Sequence, residues 1–188
     1  DRYIFKPRSR CKPRLFWVRS FHKAYNPQMA IYVLLKLLKK YPSAELCMVG
    51  PEKDGAMLDC ITLVTKFNLV DKVKFAGLLT KKQWASLSVK YDIFINTTDF
   101  DNQPVSVIEA MALGFPIVST NSGGLKYLHD DGTDAILVQK NDVNGMVNAI
   151  RSIIENKSLA SKLSTNARKK AQTFSWHNVK KSWKKLLL

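Results

Sequence analysis

The sequence has few cysteines, and their number and spacing restrict the classes of protein to which it can belong. Its 188 residues include three cysteines, Cys11, Cys47 and Cys60. An odd number of cysteines without zinc-type spacing argues against a disulfide framework and against a zinc site. Cys47 stands in an apolar run, which predicts a small core residue. This cysteine usage fits a reducing, cytoplasmic environment.

Long apolar runs and two common nucleotide-binding motifs are also missing. No uninterrupted apolar stretch approaches the roughly 20 residues that cross a bilayer, because Lys36 breaks the best candidate, residues 30–38. Neither a Walker A motif nor G-x-G-x-x-G occurs, which disfavours an ATPase and a dehydrogenase. The chain begins at Asp1 rather than at a methionine, so we expect a piece of a longer protein.

Acidic residues are scarce, and their scarcity leaves a strong positive charge. The 15 Asp and Glu stand against 30 Lys and Arg, which gives a net charge of +15. Such an excess predicts attraction to phosphate, to nucleic acid or to an acidic membrane surface. Because aromatic residues are not interleaved with the basic ones as stacking platforms, we do not expect nucleic acid as a partner.

Residues 1–13 differ in pattern from the rest of the chain. They are basic, irregular and interrupted by Pro7 and Pro13, which predicts a linker or arm that leads in from a missing N-terminal domain and lies outside the core. Residues 14–188 alternate short apolar runs with helical patterns. The predicted strands are residues 15–18, 46–49, 73–75, 93–95, 116–119 and 135–138. Six such strands separated by helices predict an α/β fold, a doubly wound parallel sheet with helices on both faces.

Ligands of such folds bind beyond the carboxyl ends of the strands, and the loop over residues 96–103 is the densest in polar groups there. The helix that follows begins near Pro104, so the amides of Val105 and Ser106 are free to receive an anion. Glu109 lies on this otherwise apolar helix and needs hydrogen-bond donors. Sugar hydroxyls would serve as donors, and so would one of the many lysines.

Two further features of the strand ends suit an anionic ligand. Arg19 ends the first strand and Lys23 follows four residues later, so together they fit a diphosphate, although a solvated surface pair is the simpler interpretation. Gly123 and Gly124 follow the fifth strand. Paired glycines permit close backbone approach to a ligand, or they form a plain turn.

Together these residues resemble a known family, the C-terminal nucleotide-sugar-binding domain of retaining GT-B glycosyltransferases of the group 1 (family 4) type. The resemblance runs from about Leu15 to the end of the chain. Its signature is an acidic pair with seven residues between, here Asp101 and Glu109, followed by a small-residue helix end, a strand and the Gly123-Gly124 pair. The stretches 73–77 and 174–176 also fit the family pattern.

The resemblance assigns roles to the acidic pair and to the cations. It implies that Glu109 holds the ribose hydroxyls and that Asp101, where the family usually has Glu, contacts the donor sugar. It implies that Arg19 binds phosphate, and Lys23 is the nearest equivalent of a lysine that the family places at a slightly different spacing. The catalytic residues expected on this basis are Arg19, Lys23, Asp101 and Glu109.

The same resemblance defines the donor-binding set. The amides of Val105 and Ser106 match the helix start that receives the diphosphate, and the segment from Gly77 to Leu79 resembles the one that contacts the base. The full set expected to bind the donor is Arg19, Lys23, Gly77, Leu78, Asp101, Asn102, Pro104, Val105, Ser106 and Glu109.

The resemblance also implies partners and a mechanism. The donor is a nucleotide-diphosphate sugar, the acceptor is a saccharide or a lipid-linked molecule, and the acceptor is bound mostly by the N-terminal domain, which this chain lacks. No metal and no cofactor are expected, because positive groups assist departure of the diphosphate. A nucleotide-sugar epimerase of the same architecture and a basic nucleic-acid-binding module are the alternatives.

The last helix carries a stripe of apolar residues among lysines. Trp176, Val179, Trp183 and Leu187 recur at spacings of three and four, which places them on one face, and Lys180, Lys181, Lys184 and Lys185 are interspersed. The simpler interpretation is a helix packed on its own domain. In the family that the chain resembles, this last helix crosses back toward the N-terminal domain, so without that domain part of the tryptophan face would lie exposed. We expect Trp176 to pack against the body and Trp183 to be the more exposed. A peripheral position on an anionic membrane surface is also compatible with this pattern.

Overall fold

The structure, a computed structural model, describes residues 3–187, without the side chains of residues 181, 182, 185 and 186. Six strands form one parallel sheet. They are β1 (Arg14–Val18), β2 (Glu45–Val49), β3 (Val73–Phe75), β4 (Ile93–Asn96), β5 (Ile117–Thr120) and β6 (Ile136–Val138). Each coincides with a predicted strand to within one or two residues, so the prediction of six strands is confirmed.

Eight α-helices connect and follow the strands. They are α1 (Pro27–Leu38), α2 (Ala56–Lys66), α3 (Lys81–Leu87), α4 (Val105–Ala112), α5 (Leu125–Leu128), α6 (Val143–Glu155), α7 (Lys157–Thr173) and α8 (Trp176–Leu187). Local sequence explains several helix starts. Pro27 occupies the first position of α1. Thr80 and Gln83 form a capping box at the start of α3, in which the side chain of each accepts a hydrogen bond from the backbone amide of the other. Within residues 3–187, every helix is too short or too polar to traverse a lipid bilayer.

The strand order is β3-β2-β1-β4-β5-β6, with every neighbouring pair parallel. The order reverses direction between β1 and β4, and a ligand site is expected above the carboxyl ends of these two strands. Both faces of the sheet are covered. In β1, Leu15 and Trp17 face the core beneath α1, α2 and α6, whereas Phe16 faces the core that includes residues of α4 and α7. The predicted doubly wound α/β fold is therefore confirmed.

The N-terminal segment is irregular, as predicted, but it is not peripheral to the core. Arg8 is only 4% exposed. Its guanidinium donates to the carbonyls of Lys6, Ser88, Tyr91 and Leu113 at 2.8–3.2 Å, and lies 3.5 Å from the centre of the Phe115 ring. Burial lowers the pKa of Arg8 to about 10. The expectation that this segment lies outside the core is wrong, because four backbone carbonyls and an aromatic face replace the water that a buried guanidinium loses.

The two tryptophans of α8 are exposed in the opposite order to the prediction. Trp176 is 70% exposed and Trp183 is 55% exposed. The chain turns at Phe174 and Ser175, and α8 begins at Trp176, beyond the end of α7. The turn before α8 therefore does not bury the Trp176 ring against the domain. The side chains of Lys181 and Lys185, which the sequence predicts among the apolar stripe, are not among those that the structure describes.

Candidate functional site

A cleft of about 450 Å³ opens where the strand order reverses. Its walls come from the chain that follows β1 and β2, from the start of α3, and from the first turns of α4. The residues around it are Val18, Arg19, Ser20, Tyr25, Val49, Gly50, Pro51, Leu78, Leu79, Thr80, Lys81, Trp84, Val105, Ser106 and Glu109. Its volume lies within the range of about 300–1,000 Å³ that is usual for small-molecule sites.

Arg19 stands at one side of the cleft, directly after β1. It forms an ion pair through Nη2 with Asp101, and its guanidinium carbon lies 4.2 Å from the centre of the Tyr25 ring. Its Nε is buried and has no hydrogen-bond partner. An unpaired buried donor costs free energy, so the Nε–H group of Arg19 is available to donate a hydrogen bond to an acceptor in the cleft.

The start of α4 forms another part of the cleft wall. Pro104 occupies the N-cap position, and no side chain caps the first turn. Ser106 is buried, and its hydroxyl oxygen has no hydrogen-bond partner. Free amides, the positive end of the helix and an unpaired hydroxyl lie together at this point. This set of donors suits an anionic oxygen.

Glu109, one turn further along α4, is 7% exposed. Lys81 donates to it, with Nζ 2.7 Å from Oε2 and 2.6 Å from Oε1. The hydroxyl of Tyr3 donates to Oε1. The sequence suggested either a lysine or sugar hydroxyls as donors to Glu109. The lysine is present, and the carboxylate, which has four lone-pair positions, still has room for a hydroxyl donor.

The loop from β4 to α4 is held in place from several directions. The Trp17 indole donates to the Thr97 hydroxyl at 3.0 Å, and that hydroxyl donates to the Tyr25 carbonyl at 2.9 Å. The hydroxyls of Thr120 and Ser122 both donate to the Thr98 carbonyl, at 2.6 Å and 2.9 Å. The loop that carries Asp101 is thus tied both to the β1 side and to the β5 side of the sheet.

Gly123 and Gly124 approach this loop rather than open space. The Gly124 amide donates to the Asp101 carbonyl at 2.8 Å. A Cβ at Gly123 would lie 2.1 Å from the carbonyl oxygen of Asp101, and one at Gly124 would lie 1.7 Å from that of Asn102. Close approach to the backbone of the protein's own loop therefore requires the glycines, and their approach to a ligand stays a prediction.

The structure does not bring every expected site residue to the cleft wall. Lys23 is exposed and lies beside a separate pocket of about 340 Å³ that Asp59 and Asp99 also line. Its backbone amide donates to Asp54 at 3.0 Å. Lys23 thus lines this neighbouring pocket and is not among the residues that line the cleft with Arg19, Ser106 and Glu109.

Of the remaining expected residues, Leu78 lines the cleft and is largely exposed. Gly77 has a φ of +66°, and its carbonyl accepts from the Gly50 amide at 2.9 Å. Asn102 is exposed at the loop surface, whereas Pro104 is buried at the N-cap of α4. Gly77, Asp101, Asn102 and Pro104 are not among the residues that line the cleft, although Gly77 and Pro104 each adjoin a lining residue and Asp101 pairs with one.

Three residues that contact Arg19 or Glu109 were not predicted as site residues from the sequence: Tyr3, Tyr25 and Lys81. Thr80 and Gln83 at a capping-box spacing could have located the start of α3, and with it Lys81, at this edge of the sheet. Tyr3 and Tyr25 carry no comparable local signal. Among residues 3–187, no three His, Cys, Asp or Glu side chains cluster in a way that could hold a metal ion.

Comparison with known proteins agrees with this architecture. The family model described as glycosyl transferases group 1 matches residues 3–170. The chain is 26% identical over 165 residues to D-inositol 3-phosphate glycosyltransferase of Corynebacterium kroppenstedtii, covering 85% of this chain and 37% of that protein. It is also 26% identical over 152 residues to glycogen synthase of Mycobacterium tuberculosis, covering 80% and 36% of the two chains. The chain therefore spans less than half the length of these relatives.

Solved structures share the fold. HepE of Anabaena, solved in complex with UDP and glucose, superposes with a TM-score of 0.83 at 20% identity, over 92% of this chain and 47% of HepE. The C-terminal domain of a group 1 glycosyl transferase, LpcC from Francisella tularensis, gives a TM-score of 0.76 at 19% identity, over 86% of this chain and 85% of that domain. The match to LpcC therefore covers most of both chains.

Proposed function

Because this chain belongs to the glycosyl transferases group 1 family, we propose that it is the donor-binding domain of a retaining glycosyltransferase and that its cleft holds a nucleotide-diphosphate sugar. The observation that carries the proposal is the pair of unsatisfied buried groups in the cleft wall, Arg19 Nε and the Ser106 hydroxyl. HepE, which has the same fold, is described as bound to UDP and glucose.

The diphosphate occupies the space between Arg19 and the first turn of α4. Phosphate oxygens accept from the Arg19 guanidinium and from the amides of Val105 and Ser106, and the Ser106 hydroxyl gains a partner in the same step. The positive end of the helix adds to the attraction. One ligand group thereby satisfies both unpartnered buried atoms of the cleft wall, Arg19 Nε and the Ser106 hydroxyl.

Glu109 accepts a hydroxyl group of the ribose. Its carboxylate keeps its contacts with Lys81 and Tyr3, which take three of its four lone-pair positions, while a sugar hydroxyl donates to the remaining position on Oε2. Lys81 also balances the negative charge that burial would otherwise disfavour. Lysine pairing and ribose binding are therefore compatible functions of the same carboxylate.

Asp101 faces the donor sugar from the loop after β4. Its ion pair with Arg19 links the residue beside the sugar to the residue beside the phosphates. As the bond between sugar and diphosphate breaks, negative charge develops on the leaving phosphate oxygen. Arg19 and the amides of α4 stabilise that charge.

We propose that transfer retains the configuration without a covalent sugar intermediate, with the acceptor hydroxyl attacking the anomeric carbon on the face that the diphosphate leaves. The two carboxylates closest to the proposed sugar position are already paired, Asp101 with Arg19 and Glu109 with Lys81. Both therefore act through hydrogen bonds and charge rather than as nucleophiles. The saccharide or lipid-linked acceptor binds to the part of the enzyme that lies beyond this chain.

A thermal-shift screen with nucleoside diphosphates and their sugar conjugates tests the proposal. A ligand at 100 times its dissociation constant stabilises the fold by about 2.7 kcal/mol, which raises the melting temperature of a domain of this size by roughly 5–10 °C. We expect such a shift for at least one nucleoside diphosphate and a smaller one for its nucleoside. A chain that no nucleoside diphosphate stabilises would contradict the proposal.

Arg14 provides a matched control for Arg19. Arg14 begins β1 and pairs with Asp92 at 2.7 Å, whereas Arg19 follows the other end of β1 and pairs with Asp101. We expect Arg19→Met to abolish the ligand-induced shift. Arg14→Met should lower the melting temperature of the free protein but leave the shift intact.

A further inference from the structure

Tyr3, in the irregular N-terminal segment, contacts the carboxylate of Glu109 from outside the cleft. Its hydroxyl donates to Oε1 of Glu109, yet Tyr3 is not among the residues that line the cleft. Glu109, by contrast, is one of the lining residues. Tyr3 can therefore influence a ligand in the cleft through Glu109 without contacting that ligand.

The segment that carries Tyr3 is bound to the carboxyl end of α4, the helix on which the carboxylate lies. The Leu113 carbonyl accepts from the Lys6 amide at 3.2 Å and from the Arg8 guanidinium at 2.8 Å. The next residue, Gly114, permits this approach, because a Cβ there would lie 2.6 Å from the Lys6 carbonyl oxygen. The segment and the end of α4 are thus held together by backbone contacts.

The backbone and the ring of Tyr3 are held as well. Arg168 of α7 donates to the Ala112 carbonyl at 2.7 Å and to the Tyr3 carbonyl at 3.4 Å, so it bridges α4 and Tyr3. The Tyr3 ring lies 6.4 Å from the ring of Trp84, centre to centre. Trp84 is buried and lines the cleft. The Tyr3 hydroxyl is therefore presented to the carboxylate from a fixed direction.

Lys81 contacts the same carboxylate but does not select its plane. The Lys81 Nζ lies 2.6 Å from Oε1 and 2.7 Å from Oε2, and its side chain is half exposed. The last torsion of a glutamate side chain is broad, so a cation that is nearly equidistant from both oxygens restrains it weakly. A hydroxyl that donates to one oxygen prefers to lie in the carboxylate plane. Tyr3 supplies that second, directional restraint.

We propose that Tyr3 is a positioning residue that fixes the plane of the Glu109 carboxylate for a ribose hydroxyl. Tyr3 and Lys81 take three of the four lone-pair positions, and the fourth, on Oε2, then points in one direction. An acceptor that is already oriented loses less conformational freedom when the ligand binds. This role rests on the proposed function, in which Glu109 binds the ribose, and it extends ribose selectivity to a residue outside the cleft wall.

A ribonucleotide and its dideoxy form, which lacks both ribose hydroxyls, together measure this role. The probe is whichever of ADP, GDP and UDP stabilises the chain most. Tyr3→Phe removes only the hydroxyl and keeps the ring against Trp84. We expect it to weaken binding of the ribonucleotide about three- to tenfold in calorimetry, since a misdirected side chain costs about that much. Binding of the dideoxy form should stay nearly unchanged, whereas a general loss of packing would weaken both ligands equally.

Tyr41 provides a matched control. Its hydroxyl donates to Glu155 at 2.6 Å, and Lys40 donates to the same oxygen, but these residues lie outside the cleft. We expect Tyr41→Phe to leave both dissociation constants unchanged. In a Glu109→Gln background, Tyr3→Phe should cause no further loss of preference for the ribonucleotide, because the acceptor that Tyr3 directs toward the ribose is already gone.

Failure of this role and failure of the ribose site give different results. If the unmodified chain binds no nucleoside diphosphate, or binds the ribonucleotide and the dideoxy form equally, the ribose site is refuted and the role of Tyr3 with it. If the unmodified chain prefers the ribonucleotide and Tyr3→Phe keeps the whole preference, the role of Tyr3 alone is refuted. The same holds if the effect of Tyr3→Phe persists undiminished in the Glu109→Gln background, because Tyr3 would then act elsewhere.

Discussion

Replacing Glu109 with glutamine removes one negative charge from the cleft and leaves the side chain almost the same size. A hydrogen bond to a charged group contributes about 1.5–3 kcal/mol. Glutamine keeps one acceptor oxygen, so the variant loses roughly one such bond to the ribose. We expect affinity for the bound nucleoside diphosphate to fall by about 10- to 150-fold.

The fold should survive this substitution. Lys81 is half exposed, so water can solvate its ammonium once the carboxylate is gone. The Tyr3 hydroxyl can still donate to the amide oxygen of glutamine. Circular dichroism and urea unfolding should therefore differ little from those of the unmodified protein, and the effect should appear in calorimetric titration with nucleotide.

Glu155 offers a closely matched control. It also accepts from a lysine and a tyrosine, Lys40 and Tyr41, each at 2.6 Å, but it lies outside the cleft. Hydrogen bonds from Lys40 and then Tyr41 lower the pKa of Glu155 to about 2, so it is ionised at neutral pH, and Glu155→Gln removes the same charge. We expect unchanged nucleotide affinity in this variant. Equal affinities of the Glu109 and Glu155 variants would refute the assignment of Glu109 to the ribose.

Three further changes test other parts of the site and fold. Asp101→Asn should weaken binding of the sugar conjugate more than that of the bare diphosphate in calorimetry, because it removes a contact to the sugar while releasing the guanidinium that Asp101 holds. Gly124→Ala should destabilise the protein by roughly 2–3 kcal/mol in urea unfolding, because its Cβ would meet a backbone oxygen at 1.7 Å. Gly132→Ala has open space around its Cβ, so its cost should be limited to the backbone strain of a φ of +68°, about 1 kcal/mol. Asp134→Asn should lose about 3 kcal/mol at neutral pH. Burial raises the pKa of Asp134, but hydrogen bonds from His129 and Lys170 bring it below its ordinary value of 3.8. The stability that Asp134 provides is therefore present above pH 3.8 and is lost as the pH falls through its folded pKa, and this slope should be absent in the variant.

The sequence was sufficient to predict the sheet and the start of α4. Buried parallel strands require short continuous apolar runs between helices, and this local pattern is visible without the structure. The burial of Glu109 followed from its apolar neighbours on one helix. In both cases the physical cause lies within a few residues of the feature that it explains.

The donors to Glu109 could not be predicted in the same way. Tyr3 is 106 residues from Glu109 in sequence, and Lys81 is 28 residues away. Such contacts depend on how α3 and the N-terminal segment pack, which no local periodicity records. Arg8 illustrates the same limit, because the sequence of a basic segment does not reveal which of its arginines is buried. Only the folded chain supplies the four carbonyls that satisfy it.

The fixed loop between β4 and α4 has a consequence for the kinetics of ligand binding. Thr97 and Thr98 are hydrogen-bonded to side chains from β1 and from the end of β5, and the Gly124 amide donates to the Asp101 carbonyl. A ligand therefore meets a loop that is already ordered, and little conformational entropy remains to be lost on binding. Association should proceed in one phase without a slow ordering step. Substitutions in the cleft should then act chiefly on the dissociation rate, so that residence time rather than encounter sets the affinity for the donor.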